Sequence, residues 1–127
     1  MDNRPDKPTM PTDDALQLAI AAARIAEEDN CEDIVVLDLR GVSPVTDFFV
    51  IATGTSDRQI RSTSDSIARH GKKTGIKVWK TAGEDKGDWI VMDFVDLVVH
   101  LFDTDHRDYY DLEMMWGEAP HIDWARK

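Results

Sequence analysis

The sequence of 127 residues has a single cysteine and no long apolar run. Cys31 therefore has no partner for an internal disulfide. No stretch is long and apolar enough for a membrane-spanning helix, and residues 1–12 are polar and proline-containing where a signal peptide has an apolar segment. These absences predict a protein of the reducing cytoplasm with no membrane partner.

Positive charge is also scarce, because 25 Asp and Glu residues outnumber 15 Lys and Arg residues and give a formal net charge of −10. This balance disfavours binding to bare nucleic acid, since contacts to phosphates need Lys and Arg. A basic protein surface is the better electrostatic match. The alternative is that the acidic surface serves only solubility, and charge alone leaves both interpretations open.

Clusters of the kind that bind metals are missing as well. The four histidines are not closely paired along the chain and have only one cysteine to join them, unlike zinc sites: His70, His100, His106 and His121. The one Asp-x-Asp sequence, Asp103 and Asp105, flanks Thr104, the predicted cap of a helix, and so favours a helix start over a catalytic metal pair. We therefore expect no metal, no cofactor and no catalytic residue.

The composition predicts one folded domain with one core, because 42% of the residues are apolar and 31% are charged. Residues 1–12 contain three prolines among polar side chains and are interpreted as a flexible tail. Residues 13–124 form the predicted domain, and residues 125–127 the C-terminal end.

Hydrophobic periodicity predicts eight elements in the order α-β-β-α-β-β-β-α. Thr12 or Asp13 caps the first helix, whose predicted apolar face is Leu16, Ala19, Ile20 and Ala23. The next elements are strands 34–39 and 48–52, a helix capped by Ser56 or Asp57, strands 77–81, 89–94 and 97–102, and a last helix capped by Thr104. This order indicates an α/β fold with helices packed on a sheet that is partly parallel and partly antiparallel.

Only Val95 and Asp96 separate the last two predicted strands, so these strands should pair as an antiparallel hairpin. Strand alternation places Met92 and Phe94 on one face of the hairpin, and Trp89 and Asp93 on the other. Only one of these faces can be entirely core.

Three sequence blocks carry a resemblance to a known family. They are DFFVIATGTSDRQ at 47–59, GDWIVMD with DLVVHLF at 87–102, and RDYYDLE with Trp116 at 107–116. In order and with family-like spacing, they make the chain resemble the ribosomal silencing factor family, also called RsfS, YbeB or Iojap, over about residues 14–124.

The resemblance implies a fold related in topology to nucleotidyltransferases, without demonstrated transfer chemistry. It also implies binding to the large ribosomal subunit through ribosomal protein fourteen, where the bound factor blocks the approach of the small subunit. The family is associated with lowering translation when nutrients are scarce and, in part, with late assembly of the large subunit.

Two positions depart from the family pattern. Ala82-Gly83 stands where the family often has Glu-Gly, so a carboxylate contact there is shifted to Glu84 or absent. Val95 stands where the family's hairpin turn usually has glycine, and a β-branched residue resists positive φ. The turn type is therefore left open.

The resemblance implies that the hairpin contacts the partner through Trp89, Met92, Asp93, Phe94 and Asp96. Exposed aromatic residues are common anchors of interfaces, and carboxylates pair with a basic partner. The alternatives are a core position for Trp89 and ordinary turn chemistry for Asp93 and Asp96.

Structural roles are predicted for five further residues: Gly54, Ser56, Arg107, Tyr110 and Glu113. Gly54-Thr55-Ser56 resembles a phosphate-binding turn but is short and lacks a following lysine. Arg107 and Glu113 are candidates for an ion pair that positions the last helix. His100, in an apolar strand, is interpreted as a hydrogen-bonded core residue, and the alternative is a general base beside Asp93 or Glu113.

Two other functions compete with a ribosome-binding factor. A nucleotide-binding or nucleotidyltransferase-like enzyme would use the Gly54-Thr55-Ser56 turn with the carboxylates Asp93 and Asp96. A homodimer would use the hairpin for self-association, so that the dimer and the ribosome compete for one surface.

Overall fold

The computed structural model describes residues 12–44, 46–106 and 119–125. In these ranges the chain forms two long helices and five strands: α1 Thr12–Glu28, β1 Glu32–Asp38, β2 Phe48–Thr53, α2 Asp57–Lys73, β3 Lys80–Ala82, β4 Trp89–Asp93 and β5 Leu97–Phe102. None of the helices in the described ranges has the length and apolarity needed to cross a membrane.

The five strands form one mixed sheet in the order β1-β2-β5-β4-β3. β2 and β5 are parallel, with Phe48 opposite Leu97, whereas the other three pairs are antiparallel. The predicted mixed α/β class is confirmed. Of the predicted last helix, only the first turn at 104–106 is described, and residues 107–118 lie outside the described ranges.

Both helices pack on one face of the sheet. The strand residues on this face alternate with period two and are buried: Phe48, Val50, Ala52, Ile90, Met92, Leu97, Val99 and Leu101. The opposite face has its own apolar cluster, with Leu37, Ile51 and Phe102 buried and Phe49 and Trp89 partly buried. Burial on both faces explains why β2 and β5 read as continuous apolar runs.

The buried face of α1 differs from the predicted one. Its buried residues are Ala15, Leu18, Ala19, Ala22, Ala23 and Ala26, while Leu16 and Ile20 are only partly buried. The alanines have no side chain beyond Cβ, so this face allows a close approach to the sheet, and Leu16 and Ile20 lie at its border. Spacing alone predicted a face rotated toward the larger side chains.

β3 is shorter than predicted and begins later, at Lys80 instead of Lys77. After α2 ends, the Ile76 amide donates to the Gly71 carbonyl at 2.7 Å, so the chain remains attached to the end of the helix. Ile76 and Val78 then pack against the helix-side core. Only from Trp79, whose amide donates to the Asp93 carbonyl at 2.8 Å, does the segment reach the sheet.

β4 and β5 form the predicted antiparallel hairpin, with Trp89 opposite Phe102 and Asp93 opposite Val98. Val95 adopts φ +80°, a conformation that a β-branched residue avoids. Its side chain is buried, and its amide donates to Asp93 Oδ1 at 2.7 Å. The Asp96 amide donates to the Phe94 carbonyl at 3.1 Å, which makes a tight turn centred on Val95.

Candidate functional site

The hairpin formed by β4 and β5 presents three of its five predicted contact residues at the surface. Trp89, Asp93 and Asp96 are partly exposed, and we call these three residues the hairpin surface. Met92 and Phe94, by contrast, are 0% and 1% exposed and lie in the core beneath the helices. This corrects the expectation for these two side chains, because neither reaches a partner without leaving the core.

The backbone of the hairpin is anchored on both sides. The Asp93 carbonyl accepts from the Trp79 amide at 2.8 Å, which attaches the segment before β3. The Asp96 carbonyl accepts from the amides of Asp47 at 3.1 Å and Phe48 at 3.2 Å, which attaches the start of β2. The Asp93 carboxylate accepts a hydrogen bond from the Val95 amide. Asp93 therefore stabilises the turn, which is the alternative role that the sequence allowed for it.

Trp89 belongs to an aromatic group on the sheet face opposite the helices. Its ring stacks on Phe102 at a centroid distance of 4.8 Å, and Phe49 meets His100 edge-on at 4.9 Å. Trp89 Nε1 donates to His100 Nδ1 at 3.2 Å. Trp89 is thus packed into this apolar cluster and partly exposed, and its role as an interface anchor stays a prediction.

His100 is held as a neutral imidazole. Burial lowers the pKa of His100 to about 4, because the charged form loses hydration. Since Nδ1 accepts from Trp89, the ring proton lies on Nε2, a buried atom that has no hydrogen-bond partner among the described residues. The geometry is that of a core histidine paired with Trp89, and Glu113, a predicted neighbour, lies outside the described residues.

The turn before α2 is closed by the protein's own side chains. Ser56 is the N-cap of α2, and its Oγ accepts from the Gln59 amide at 3.1 Å. The Thr55 amide and hydroxyl both donate to Gln59 Oε1, and Gln59 Nε2 donates to the Asp29 carbonyl at 2.6 Å. The Thr55 and Gln59 amides, which a phosphate would need, are therefore engaged within the chain.

Gly54 is required here by close packing. A Cβ built at this position would lie 2.4 Å from Ile60 Cγ1, below any ordinary contact distance. Ile60 is a buried residue of the first turn of α2, so any side chain at 54 would push the helix away from β2. The glycine therefore fixes the distance between strand and helix.

The last helical turn begins at a different cap from the one predicted. Asp103 Oδ1 accepts from the His106 amide at 2.8 Å, so Asp103 is the cap, and Thr104 already lies in the turn. The Asp103 carboxylate also accepts from His106 Nδ1 at 2.7 Å and raises the pKa of that imidazole. Asp103, one position before Thr104, offers a carboxylate oxygen to the free backbone amides at the start of this turn.

Sequence reasoning missed the approach of Asp88 to this cap. The Asp103 amide donates to the Asp88 carbonyl at 2.8 Å, and His106 Nε2 lies 3.7 Å from Asp88 Oδ2. Ligand atoms of Asp88, Asp103 and His106 lie within 4.8 Å of one another, a spacing that a divalent cation accepts. The only available signal was the β4–β5 register, which brings residues 88 and 103 opposite each other.

Three predicted structural residues, Arg107, Tyr110 and Glu113, lie outside the described residues. Their predicted roles in positioning the last helix stay predictions.

Solved structures first define the class of this domain. A crystal structure of a protein from Chromobacterium violaceum superposes with a TM-score of 0.76 at 32% identity, over 85% of this chain and 88% of that one. The chain is therefore an α/β domain of a fold already seen in bacteria.

The family follows from sequence. Residues 12–127 match the family described as "Ribosomal silencing factor during starvation", and the chain belongs to that family. It is 42% identical to ribosomal silencing factor RsfS of Bacillus subtilis over 84% of this chain and 89% of the relative. It is also 32% identical to "Mitochondrial assembly of ribosomal large subunit protein 1" of Mus musculus, over 72% of this chain and 42% of that protein. The resemblance seen in the sequence is confirmed.

Proposed function

We propose that this protein binds the large ribosomal subunit through ribosomal protein fourteen and sterically prevents the small subunit from joining. The observation that carries the proposal is the family match over residues 12–127. In this role the protein acts in the cytoplasm as a binding factor without a cofactor, not as an enzyme, and it represses translation when nutrients are limited.

The hairpin surface supports this proposal by its composition and its rigidity. Trp89 offers a partly exposed aromatic ring, and Asp93 and Asp96 add carboxylates beside it. A net charge of −10 favours a basic partner, and proteins that coat ribosomal RNA are commonly basic. Because hydrogen bonds anchor the hairpin on both sides of its turn, little ordering entropy is lost when it docks.

The mouse relative's name refers to assembly of the large subunit. We propose that this chain assists late assembly of the large subunit through the same contact. A factor that covers the joining face of an immature particle would keep that particle out of translation until it is complete.

The test is co-sedimentation of the purified protein with separated large and small subunits. Asp96→Lys reverses a charge on the hairpin surface. Asp93→Asn removes a charge but retains the Oδ1 acceptor that holds the Val95 amide, so any loss of binding reports the charge and not a broken turn. Asp65→Lys is the matched control, since Asp65 is exposed on α2, a helix that packs on the opposite sheet face from Trp89.

We expect wild type and Asp65→Lys to sediment with large subunits only. Asp96→Lys should bind roughly tenfold more weakly or worse, which corresponds to about 1.4 kcal/mol or more. Sedimentation of wild type with neither subunit would refute the proposal. An equal loss in Asp65→Lys and Asp96→Lys would show that net charge, not the hairpin surface, governs binding.

A further inference from the structure

The basic residues of this acidic chain are concentrated in one segment. From Ser66 to Gly83 there is no Asp or Glu, while the segment contains five of the chain's 15 Lys and Arg residues: Arg69, Lys72, Lys73, Lys77 and Lys80. We call these five residues the basic surface. All five are exposed, and the excess of acidic groups lies in the rest of the chain.

The basic surface runs from the end of α2, through the loop that follows, to β3. Along it lies a shallow groove of about 280 Å³, lined by Ala68, Arg69, Lys72, Lys77 and Val78. A second groove of about 570 Å³ shares Arg69 and Lys72 and extends toward the end of α1, where it also includes Glu28 and Asp29. Among the described residues, the first groove is thus lined by three cationic side chains and two apolar residues, and by no carboxylate.

Only some of these five cationic residues have a role in stabilising the fold. Cations in the last turn of a helix stabilise its C-terminal carbonyls, which applies to Lys72 and Lys73. Lys77 and Lys80 lie beyond the helix and gain nothing from that dipole. Within the described part of the chain, none of the five residues forms an ion pair with a carboxylate.

An exposed aromatic residue lies among these cations. Trp79 is 38% exposed, and Lys80 Nζ lies 5.5 Å from the centroid of its ring. A row of cationic side chains with an aromatic ring beside it is suited to binding a polynucleotide. Phosphates pair with the cations, and an unpaired base stacks on the ring.

The basic surface is also continuous with the hairpin surface. Lys80 of β3 lies opposite Asp93 of β4, and the Trp79 amide donates to the Asp93 carbonyl at 2.8 Å. A ribosomal particle with a basic protein next to exposed RNA would match both surfaces in charge. The basic protein would face the acidic hairpin surface, and the RNA would face the basic surface.

We propose that the basic surface binds the phosphate backbone of ribosomal RNA beside the protein contact, with a base packing on the exposed part of Trp79. This inference rests on the proposed function for its biological setting. It also revises the expectation drawn from net charge, because affinity for phosphates depends on local charge and not on the sum over the chain.

The first test uses protein-free RNA, so that its outcome does not depend on the ribosomal protein contact. Fluorescence anisotropy with labelled RNA extracted from large subunits is measured over a range of salt concentrations for wild type and two double variants. Lys72→Glu/Lys77→Glu alters the basic surface. Arg58→Glu/Lys86→Glu makes the same change in net charge at exposed positions outside the basic surface.

We expect wild type to bind RNA at low salt, with log K falling by about 0.7–0.9 per log salt for each phosphate contact. Lys72→Glu/Lys77→Glu should lower the affinity roughly tenfold or more. It should also make the slope of log K against log salt shallower, by an amount that corresponds to the loss of about two phosphate contacts. The control should retain most of the wild-type affinity and slope. Circular dichroism verifies folding, and Lys72→Gln/Lys77→Gln provides a neutral variant if the reversal disturbs the fold.

Three results would overturn the inference: no binding of wild type to RNA at low salt, an equal loss in the control, or binding to anionic phospholipid vesicles but not to RNA. A second measurement places a photo-crosslinking residue at position 77 on the bound large subunit. Crosslinks to RNA support the inference, whereas crosslinks to protein alone refute it. If wild type binds RNA but not large subunits, the proposed function fails and the RNA-binding surface stands.

Discussion

At the scale of single residues, several side chains combine a place in the fold with a place at the surface. Asp93 holds the Val95 amide with one carboxylate oxygen and lies beside Trp89 on the proposed contact face. Trp89 stacks on Phe102 and donates to His100 while part of its ring is exposed. Truncation of either residue therefore mixes lost binding with lost stability, and substitutions that retain the hydrogen bond are the more informative ones.

His100 should make the stability of the fold depend on pH. Its pKa is about 4 in the folded protein against 6.5 for a free imidazole, so the unfolded chain takes up the proton first as the pH falls. The stabilising effect of the neutral ring is complete above about pH 6.5 and is lost as the pH falls toward 4, by about 3 kcal/mol in total. His100→Gln, which retains a side chain able to hydrogen bond Trp89, should remove this pH-dependent part of the unfolding free energy.

The measurement is urea denaturation of wild type and His100→Gln at several pH values between 4 and 7. The difference in unfolding free energy between the two proteins should shrink steadily as the pH falls, since contributions from other groups cancel. A difference that is constant over this range would mean that His100 does not titrate with a lowered pKa.

At the scale of elements, the junction between β2 and α2 shows how a short sequence specifies a local structure. The turn has the glycine that close packing requires, a serine in extended conformation as N-cap, and a glutamine that closes the turn behind it. Each of these features follows from residues no more than six positions apart. This is why the sequence predicted the start of α2 within one residue.

Ser56→Ala should destabilise the protein by about 1 kcal/mol, because the Gln59 amide loses its acceptor at the N-terminus of α2. Ser62→Ala is a matched control on the same helix, since Ser62 is exposed and alanine has the higher helix propensity. Thermal unfolding followed by circular dichroism compares the two. Equal midpoints for the two variants would contradict the capping role of Ser56.

At the scale of the whole molecule, the charge is divided between two adjoining surfaces. The hairpin surface is acidic and aromatic, and the basic surface lies on the neighbouring edge of the sheet around β3. If the two surfaces act together, the hairpin should determine which protein is recognised, and the basic surface should add affinity that depends on salt. Self-association through the hairpin, the dimer considered from the sequence, would compete with the large subunit for the same residues.

A steric block predicts that the order of addition matters. When the protein is mixed with large subunits first, small subunits added later should form fewer joined ribosomes, in proportion to occupancy. When the subunits are joined beforehand, the same amount of protein should have much less effect, because the contact face is covered. Sucrose-gradient profiles measure both cases, with Asp65→Lys expected to act as wild type and Asp96→Lys to act weakly. Equal effects in both orders would rule out a simple block.

The sequence by itself determined the features that depend on near neighbours. Period-two and helical spacing predicted the mixed α/β order, all five strands and the hairpin, and the matching blocks indicated the family. Among the element bounds, β3 moved most, because its length depends on how the chain leaves α2. A segment's own pattern contains no information about such a tertiary contact.

Only the tertiary structure decided which side chains are accessible. Alternation divided Met92 and Phe94 from Trp89 and Asp93, but it did not show which side the helices cover, and the helices bury Met92 and Phe94. The alignment of Lys80 with Asp93 likewise depends on how β3 reaches the sheet. The register of β4 and β5, which brings Asp88 near Asp103, follows from the two-residue turn between them. Helix placement and the pairing of β3, by contrast, arise from long-range packing over the core, so no local pattern of residues specifies them.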